Sequence, residues 1–269
     1  MNAVVECEGA PRDLGLDQGL ACRDAVARRF AGAPLCERLR SRAGWPGEGE
    51  SRSFRDLWQY FPHQADRLEG LGGAAGVPAT WLAPRVPGPG HVEPALVGYA
   101  APTARIGRAL GGPVVVRRSR PEGLFASVEV TRPWFPAALV GVNERGLAVA
   151  AVAGPAEAAR CAAPAWLLAQ DCLERFEALG PALDWCCERP GGGGGALILA
   201  HPVEGMAGVV FGATRRVLRG DPSIVRGGAT AGSPDAVPAE AGSLARALGG
   251  AAVDVGAGCL HVGEQVFNP

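Results

Sequence analysis

Two uninterrupted apolar runs stand out in the pattern of hydrophobic and polar positions: Ala137–Val142 and Leu147–Val152. Between them lie Asn143, Glu144, Arg145 and Gly146. Asn tolerates the left-handed backbone region and Gly enters it without steric cost, so this tetrapeptide predicts a hairpin turn. Neither run alternates. Strands that are apolar at successive positions are covered on both faces, which predicts the central hairpin of a buried sheet. A buried helix would also be apolar throughout, but Gly141 and Gly154 favour strand.

The rest of the chain has two textures. Asp13 is placed to cap a helix running to about Phe30, with Leu14, Leu20, Val26 and Phe30 near helical spacing. A second helical region is predicted from Phe54 to about Leu71, ended by Gly72–Pro78, with a short helix at Ala79–Leu82. Arg85–Glu93 (RVPGPGHVE) is a proline- and glycine-punctuated connector. Residues 1–93 therefore read as mainly helical, and residues 94–269 as the sheet-bearing core of one domain. In that core, Leu96–Ala101 and Pro113–Arg117 predict strands joined across Gly111–Gly112, and Phe125–Val130 a third. Helices are expected at Ala165–Arg175 and Ala182–Glu188, with a break at Gly180–Pro181. Further strands are expected at Ala196–Ala200, Gly208–Phe211, Arg216–Leu218 and Cys259–Val262, and a helix at Ala239–Leu248 within a small-residue loop. Segregated runs of strands and helices predict an α+β protein of stacked layers, not a doubly wound sheet.

Composition narrows the function classes. The 269 residues are 48% hydrophobic, enough for a large core, and the net charge of -1 gives no reason to expect nucleic acid or an anionic membrane. Every basic residue is Arg, which excludes Schiff-base lysines and lysine general bases. No apolar stretch reaches the roughly 20 residues of a membrane span, and the first residues show no secretory signal. A cytoplasmic location is expected. The Gly191–Gly195 run lacks the Lys-Ser/Thr of a phosphate-cradling loop and reads as a flexible link. The eight cysteines contain no C-x-x-C pair and the four histidines are scattered, so neither metal nor cofactor is expected. The cysteines read as small core residues in a reducing compartment.

Four stretches carry a resemblance to a known family. Gly9–Pro11–Leu14–Gly15–Gln18–Gly19 resembles the opening G-x-P-x-x-x-G-x-x-H-G of the isopenicillin N acyltransferase-like N-terminal-nucleophile hydrolases. Phe61–Val77 (FPHQADRLEGLGGAAGV) resembles their P-x-x-x-x-E-L-x-G-x-A-x-G-A-G-V, and Gly141–Leu147 (GVNERGL) matches their G-x-N-E-x-G-L. Pro164–Leu173 followed by Leu197–Phe211 resembles their helix and following strand pair. The resemblance implies a four-layer αββα sandwich preceded by a helical pro-segment-like part. It also implies an enzyme that makes or breaks amide bonds after cutting itself at an internal cysteine.

That chemistry requires a nucleophile freed as an N-terminal residue, whose own amine acts as base, with oxyanion donors nearby. By the resemblance the nucleophile position falls at Tyr99. A phenol cannot make the five-membered ring that self-cleavage needs. Where the family carries G-R-N-x-D-W, this chain reads Val116–Pro121 (VRRSRP), so Arg117 is kept and the aspartate becomes Arg120. The oxyanion asparagine falls at Val152 or Ala153, the helix arginine at Gln170, and the late T-N-H has no counterpart around Ser223–Ala229. Asn143, Glu144 and Gly146 read as turn structure. One lost oxyanion donor costs about 10²–10³ in rate, and here the nucleophile, the aspartate and the donors are absent together.

The expectation is a non-cleaved pseudoenzyme with a binding or scaffolding role. Arg117, Arg118 and Arg120 are its candidate site for a small anionic ligand, against the plainer reading of a solvated strand edge. The alternative is an active amide hydrolase or acyltransferase with a relocated nucleophile, Thr103 or Cys7. A third is a subunit that stabilises an active paralogue.

Overall fold

A computed structural model describes residues 4–31, 55–83, 96–99, 105–154, 167–190, 194–211, 216–219, 241, 245–246 and 250–269. The fold is mixed α+β. The described strands are β1 (Val4–Gly9), β2 (Leu96–Tyr99), β3 (Arg105–Ala109), β4 (Val115–Pro121), β5 (Ser127–Thr131), β6 (Val140–Asn143) and β7 (Ala148–Gly154). They continue as β8 (Gly194–His201), β9 (Gly205–Phe211), β10 (Arg216–Arg219), β11 (Gly250–Asp254), β12 (Cys259–Val262) and β13 (Gln265–Phe267). The helices are α1 (Pro11–Ala21), α2 (Arg23–Phe30), α3 (Pro62–Ala75), α4 (Ala79–Leu82), α5 (Leu168–Arg175) and α6 (Leu179–Glu188), with a further helical stretch at 55–60.

One sheet has eight strands in the order β1-β4-β5-β6-β7-β8-β9-β10; the other has five, β13-β12-β11-β3-β2. All pairings are antiparallel except β1 with β4. The central hairpin explains why its runs are apolar throughout. On β7, Val149 and Ala151 pack against the helices, whereas Ala148, Ala150 and Val152 pack against the five-stranded sheet. On β8, Leu197 and Leu199 face the helices and Ala196, Ile198 and Ala200 face the second sheet. Period-2 alternation therefore has an apolar destination on both sides. The turn is built by Asn143, whose Oδ1 accepts from the backbone N–H groups of Arg145 and Leu147 at 3.0 Å each, and by Gly146 at φ +84°.

Glycine sets the helix layer. A Cβ on Gly15 of α1 would stand 1.8 Å from the Arg67 carbonyl oxygen of α3, and one on Gly70 would stand 2.0 Å from the Arg12 carbonyl oxygen. The two helices touch backbone to backbone, which only glycine permits. α3 ends at Gly76 in the left-handed conformation, φ +71°.

Several sequence expectations need correction. The first 93 residues are not helical from the start, because Val4–Gly9 forms the edge strand of the large sheet. Val4–Gly9 therefore belongs to the core sheet. Gly111–Gly112 does not close a hairpin: β3 intervenes and pairs with β2, so this connection carries the chain from the small sheet to the large one. The helix predicted from Asp13 to Phe30 is interrupted at Cys22, and α6 runs through Gly180–Pro181 instead of starting after them. Proline is tolerated there because a helix's first turn has no intrahelical use for its N–H groups. Glu204 Oε2 satisfies Leu179 N and Gly180 N, at 3.0 and 3.4 Å. Most of the expected helix at 239–248, the Gly191–Gly193 link and Thr103 lie outside the described residues.

Candidate functional site

β4 alternates, and that alternation decides the fate of its three arginines. Arg117 and Ser119 point into the helix side and are fully buried. Arg118 and Arg120 point the other way, towards solvent. Arg118 Nη1 pairs with Glu6 Oε1 at 3.1 Å, and Arg120 lies opposite Glu8 in the β1–β4 register. The three arginines do not converge, and Arg118 is held by a glutamate on the neighbouring strand.

Arg117 is the centre of a buried polar cluster. Its Nε donates to Glu129 Oε1 at 3.1 Å, Nη1 to Gln18 Oε1 at 2.6 Å, and Nη2 to Gln170 Oε1 at 2.9 Å and the Pro136 carbonyl at 3.0 Å. Ser119 Oγ donates to the same Glu129 oxygen at 2.6 Å. Gln170 Nε2 donates to Glu174 Oε1 at 2.9 Å, and Glu174 is paired with Arg67 Nη2 at 3.1 Å. Gln18 Nε2 reaches the carbonyls of Pro133 and Phe135 at 3.1 and 2.9 Å. Two guanidinium groups thus face two carboxylates. Burial alone would raise the Glu129 pKa, but the charges of Arg117 and Arg67 and the hydrogen bonds from Arg117 and Ser119 outweigh it and hold the carboxyl below its ordinary value. For Arg117, burial pulls down and Glu129 pulls up, and the net is a raised pKa.

The stretches that carried the family resemblance meet here. Gln18 lies in the first of these stretches, Arg67 in the second and Gln170 in the fourth. All three are within this one cluster. Asn143 is beside it: its Nδ2 donates to the Leu173 and Phe176 carbonyls at 2.9 and 2.8 Å, tying the hairpin to α5. Glu144 Oε1 accepts from Ala126 N at 3.3 Å, a second backbone tie at the turn. Glu129 and Glu174 were not singled out from the sequence. The available signal was a glutamate inside the β-branched strand SVEVT, a charge where the pattern demands burial.

The cluster is buried, and its hydrogen bonds tie β4 and β5 to α1 and α5. Cys7, on β1 in register with Ser119, is 2% exposed. Burial pushes its thiol up to about 11, against the lowering influence of Arg117. Such a thiol is neutral and a poor nucleophile. Tyr99 ends β2 in the small sheet, in register with Arg105. A second polar group staples the helices: Asp171 Oδ1 contacts His63 Nε2 at 2.7 Å and Gln64 Nε2 at 3.0 Å, while Oδ2 accepts from Trp185 Nε1 at 3.0 Å. Among the described residues no group of three or more His, Cys, Asp or Glu converges as a metal site. Among them no helix is long and apolar enough to cross a membrane.

No protein-family model matches the sequence, and no curated protein does. Among solved structures, the chain is similar to a cysteine-to-alanine mutant of conjugated bile acid hydrolase from Clostridium perfringens. The TM-score is 0.31 and the identity 11%, over 48% of this chain and 50% of that one. The match thus spans about half the length of the hydrolase.

Proposed function

We propose that the chain is a degenerate N-terminal-nucleophile fold, not self-cleaved, kept as a binding or scaffolding protein. The observation that carries this reading is the state of Arg117, the one residue retained from the family's G-R-N-x-D-W. It is wholly buried and its donors are taken up by Glu129, Gln18, Gln170 and Pro136. A guanidinium so occupied supports the packing of helices on the sheet and does not set the field of a reacting amine.

The ordering of layers supports the fold half of the proposal. Helices cover one face of the eight-stranded sheet and the five-stranded sheet covers the other. A four-layer αββα sandwich needs one more helical layer on the small sheet.

The experiment is the intact mass of the freshly purified recombinant chain. A single species near 27.5 kDa, allowing for loss of Met1, is expected. Two fragments would overturn the proposal, and the new N-terminal residue would identify the nucleophile, Thr103 and Cys7 included.

A further inference from the structure

Arg108 sits in the space between the two sheets and is 7% exposed. It follows Ile106 on the inner face of β3 and lies opposite Ala251 of β11, in an otherwise apolar layer. Its Nη1 donates to the Ala151 carbonyl of β7, while Nε has no acceptor. Among the described residues no carboxylate pairs with it. Burial, and after it repulsion from Arg132, pushes its pKa down to about 9. Arg132 follows β5 and is partly exposed, and its Nη1 donates to the Gly111 carbonyl at 2.6 Å in the connection between β3 and β4.

The other buried arginines are placed differently. Arg117 and Arg67 each have a glutamate, and Arg105, on the opposite face of β3, lies across from Asp254 in the β3–β11 register, although its Nε and Nη1 also lack an acceptor among the described residues. A guanidinium buried in a low-dielectric layer with no acid beside it, and repelled by the partly exposed Arg132, is costly until an anion joins it. Guanidinium forks match the geometry of carboxylate and phosphate oxygens.

We propose that Arg108 and Arg132 form a clamp for one oxyanion, the carboxylate or phosphate group of a small ligand, beside the Gly111–Gly112 connection at the end of the inter-sheet space. Arg108 Nε is the inner donor, and Arg132 closes the clamp from the solvent side. The clamp rests on the reading of this chain as a binding protein, and it moves the anionic site from β4 to β3.

The test uses the full chain, with inorganic phosphate and butyrate as probes, butyramide as neutral isostere, and ionic strength held constant with sodium chloride. Calorimetric titration and thermal-unfolding midpoints are read for wild type, Arg108→Gln, Arg132→Gln and Arg118→Gln. Phosphate or butyrate raises the wild-type midpoint and butyramide does not; whichever anion responds identifies the source. Arg108→Gln weakens that binding by about 30-fold or more, as expected when a buried charged partner is removed. Arg132→Gln weakens it as well, and Arg118→Gln leaves it unchanged. If wild type shows no anion-specific response, or the response survives Arg108→Gln or Arg132→Gln, the clamp is overturned. Should Arg108→Gln fail to fold, the partly exposed Arg132→Gln and the butyrate–butyramide comparison decide. An uncleaved chain without an anion response removes the clamp alone, whereas a cleaved chain removes the pseudoenzyme reading whatever the anions do.

Discussion

Arg117 Nε and Glu129 Oε1 stand 3.1 Å apart with both side chains wholly out of solvent. Buried ion pairs contribute little net stability when complete, but they are expensive to break, because the surviving charge has no water to turn to. The pair joins β4 to β5, and through Gln18 and Gln170 it fixes α1 and α5 on the sheet.

Glu129→Gln is therefore expected to destabilise the chain by about 3–5 kcal/mol, while Glu6→Gln, at an exposed pair, costs less than about 1 kcal/mol. The pH dependence follows from the lowered Glu129 pKa. A carboxyl held down in the folded state contributes stability that is present above its unfolded pKa of about 4.3 and is lost as pH falls through the folded value. Urea unfolding from pH 7 to pH 3 should show wild-type stability falling below about pH 4.3, with a shallower fall in Glu129→Gln. Parallel curves for the two proteins would remove Glu129 as the acid-sensitive group.

The α1–α3 contact gives an opposed pair of predictions. Gly70→Ala places a methyl group 2.0 Å from the Arg12 carbonyl oxygen, so the helices must separate. The cost is expected to exceed about 2 kcal/mol. Gly73, three residues along the same helix, has nothing within 4 Å of an added Cβ. Gly73→Ala should stabilise by about 0.5–1 kcal/mol through helix propensity and reduced unfolded-chain entropy. Thermal unfolding of both variants decides; a harmless Gly70→Ala would mean the helices are not in backbone contact.

Thiol reactivity tests the relocated-nucleophile alternative directly. With its pKa near 11, Cys7 is about one part in a thousand thiolate at pH 8. It is also shielded from solvent, whereas Cys187 is exposed. Labelling with a disulfide reagent followed by peptide mapping should modify Cys187 in the native chain and Cys7 only after denaturant. Rapid native labelling of Cys7 would restore it as a candidate nucleophile.

Some of this was legible before any coordinates. The Asn143–Gly146 turn and its flanking strands follow from local turn chemistry, and α4 from its Pro-bounded window, because short-range sterics decide both. The strand β1 was not legible. Its Val5 and Cys7 face inward and its Glu6 and Glu8 outward, a four-position alternation too short to distinguish from a charged entry segment, and its partner β4 lies about a hundred residues on. The polar cluster was legible only as separate motif positions. Sequence spacing cannot show that Gln18, Arg67, Arg117 and Gln170 meet, since their convergence is created by sheet register and the glycine-packed helices. Nor can adjacency show convergence: Arg117 and Arg118 are neighbours in the chain and point to opposite faces.

The contrast between Arg117 and Arg108 yields the last prediction. Both guanidinium groups are buried, but Arg117 has four acceptors, one of them a carboxylate, whereas Arg108 has the Ala151 carbonyl and a second arginine nearby. Replacing Arg117 by Met removes a cation that two glutamates need, and should cost about 3–5 kcal/mol. Replacing Arg108 by Met removes a cation that nothing in the described structure neutralises, and supplies an apolar side chain to a layer of Val, Ile and Ala. In phosphate-free, carboxylate-free buffer, Arg108→Met should be neutral or stabilising by up to about 2 kcal/mol. Adding the anion that the wild type binds should then narrow or reverse the difference, because the ligand stabilises only the chain that keeps its clamp. Chemical denaturation of the two proteins with and without that anion reads both effects at once. A strongly destabilised Arg108→Met in anion-free buffer would mean that Arg108 holds β3 to β7 through the Ala151 carbonyl and serves structure, not a ligand.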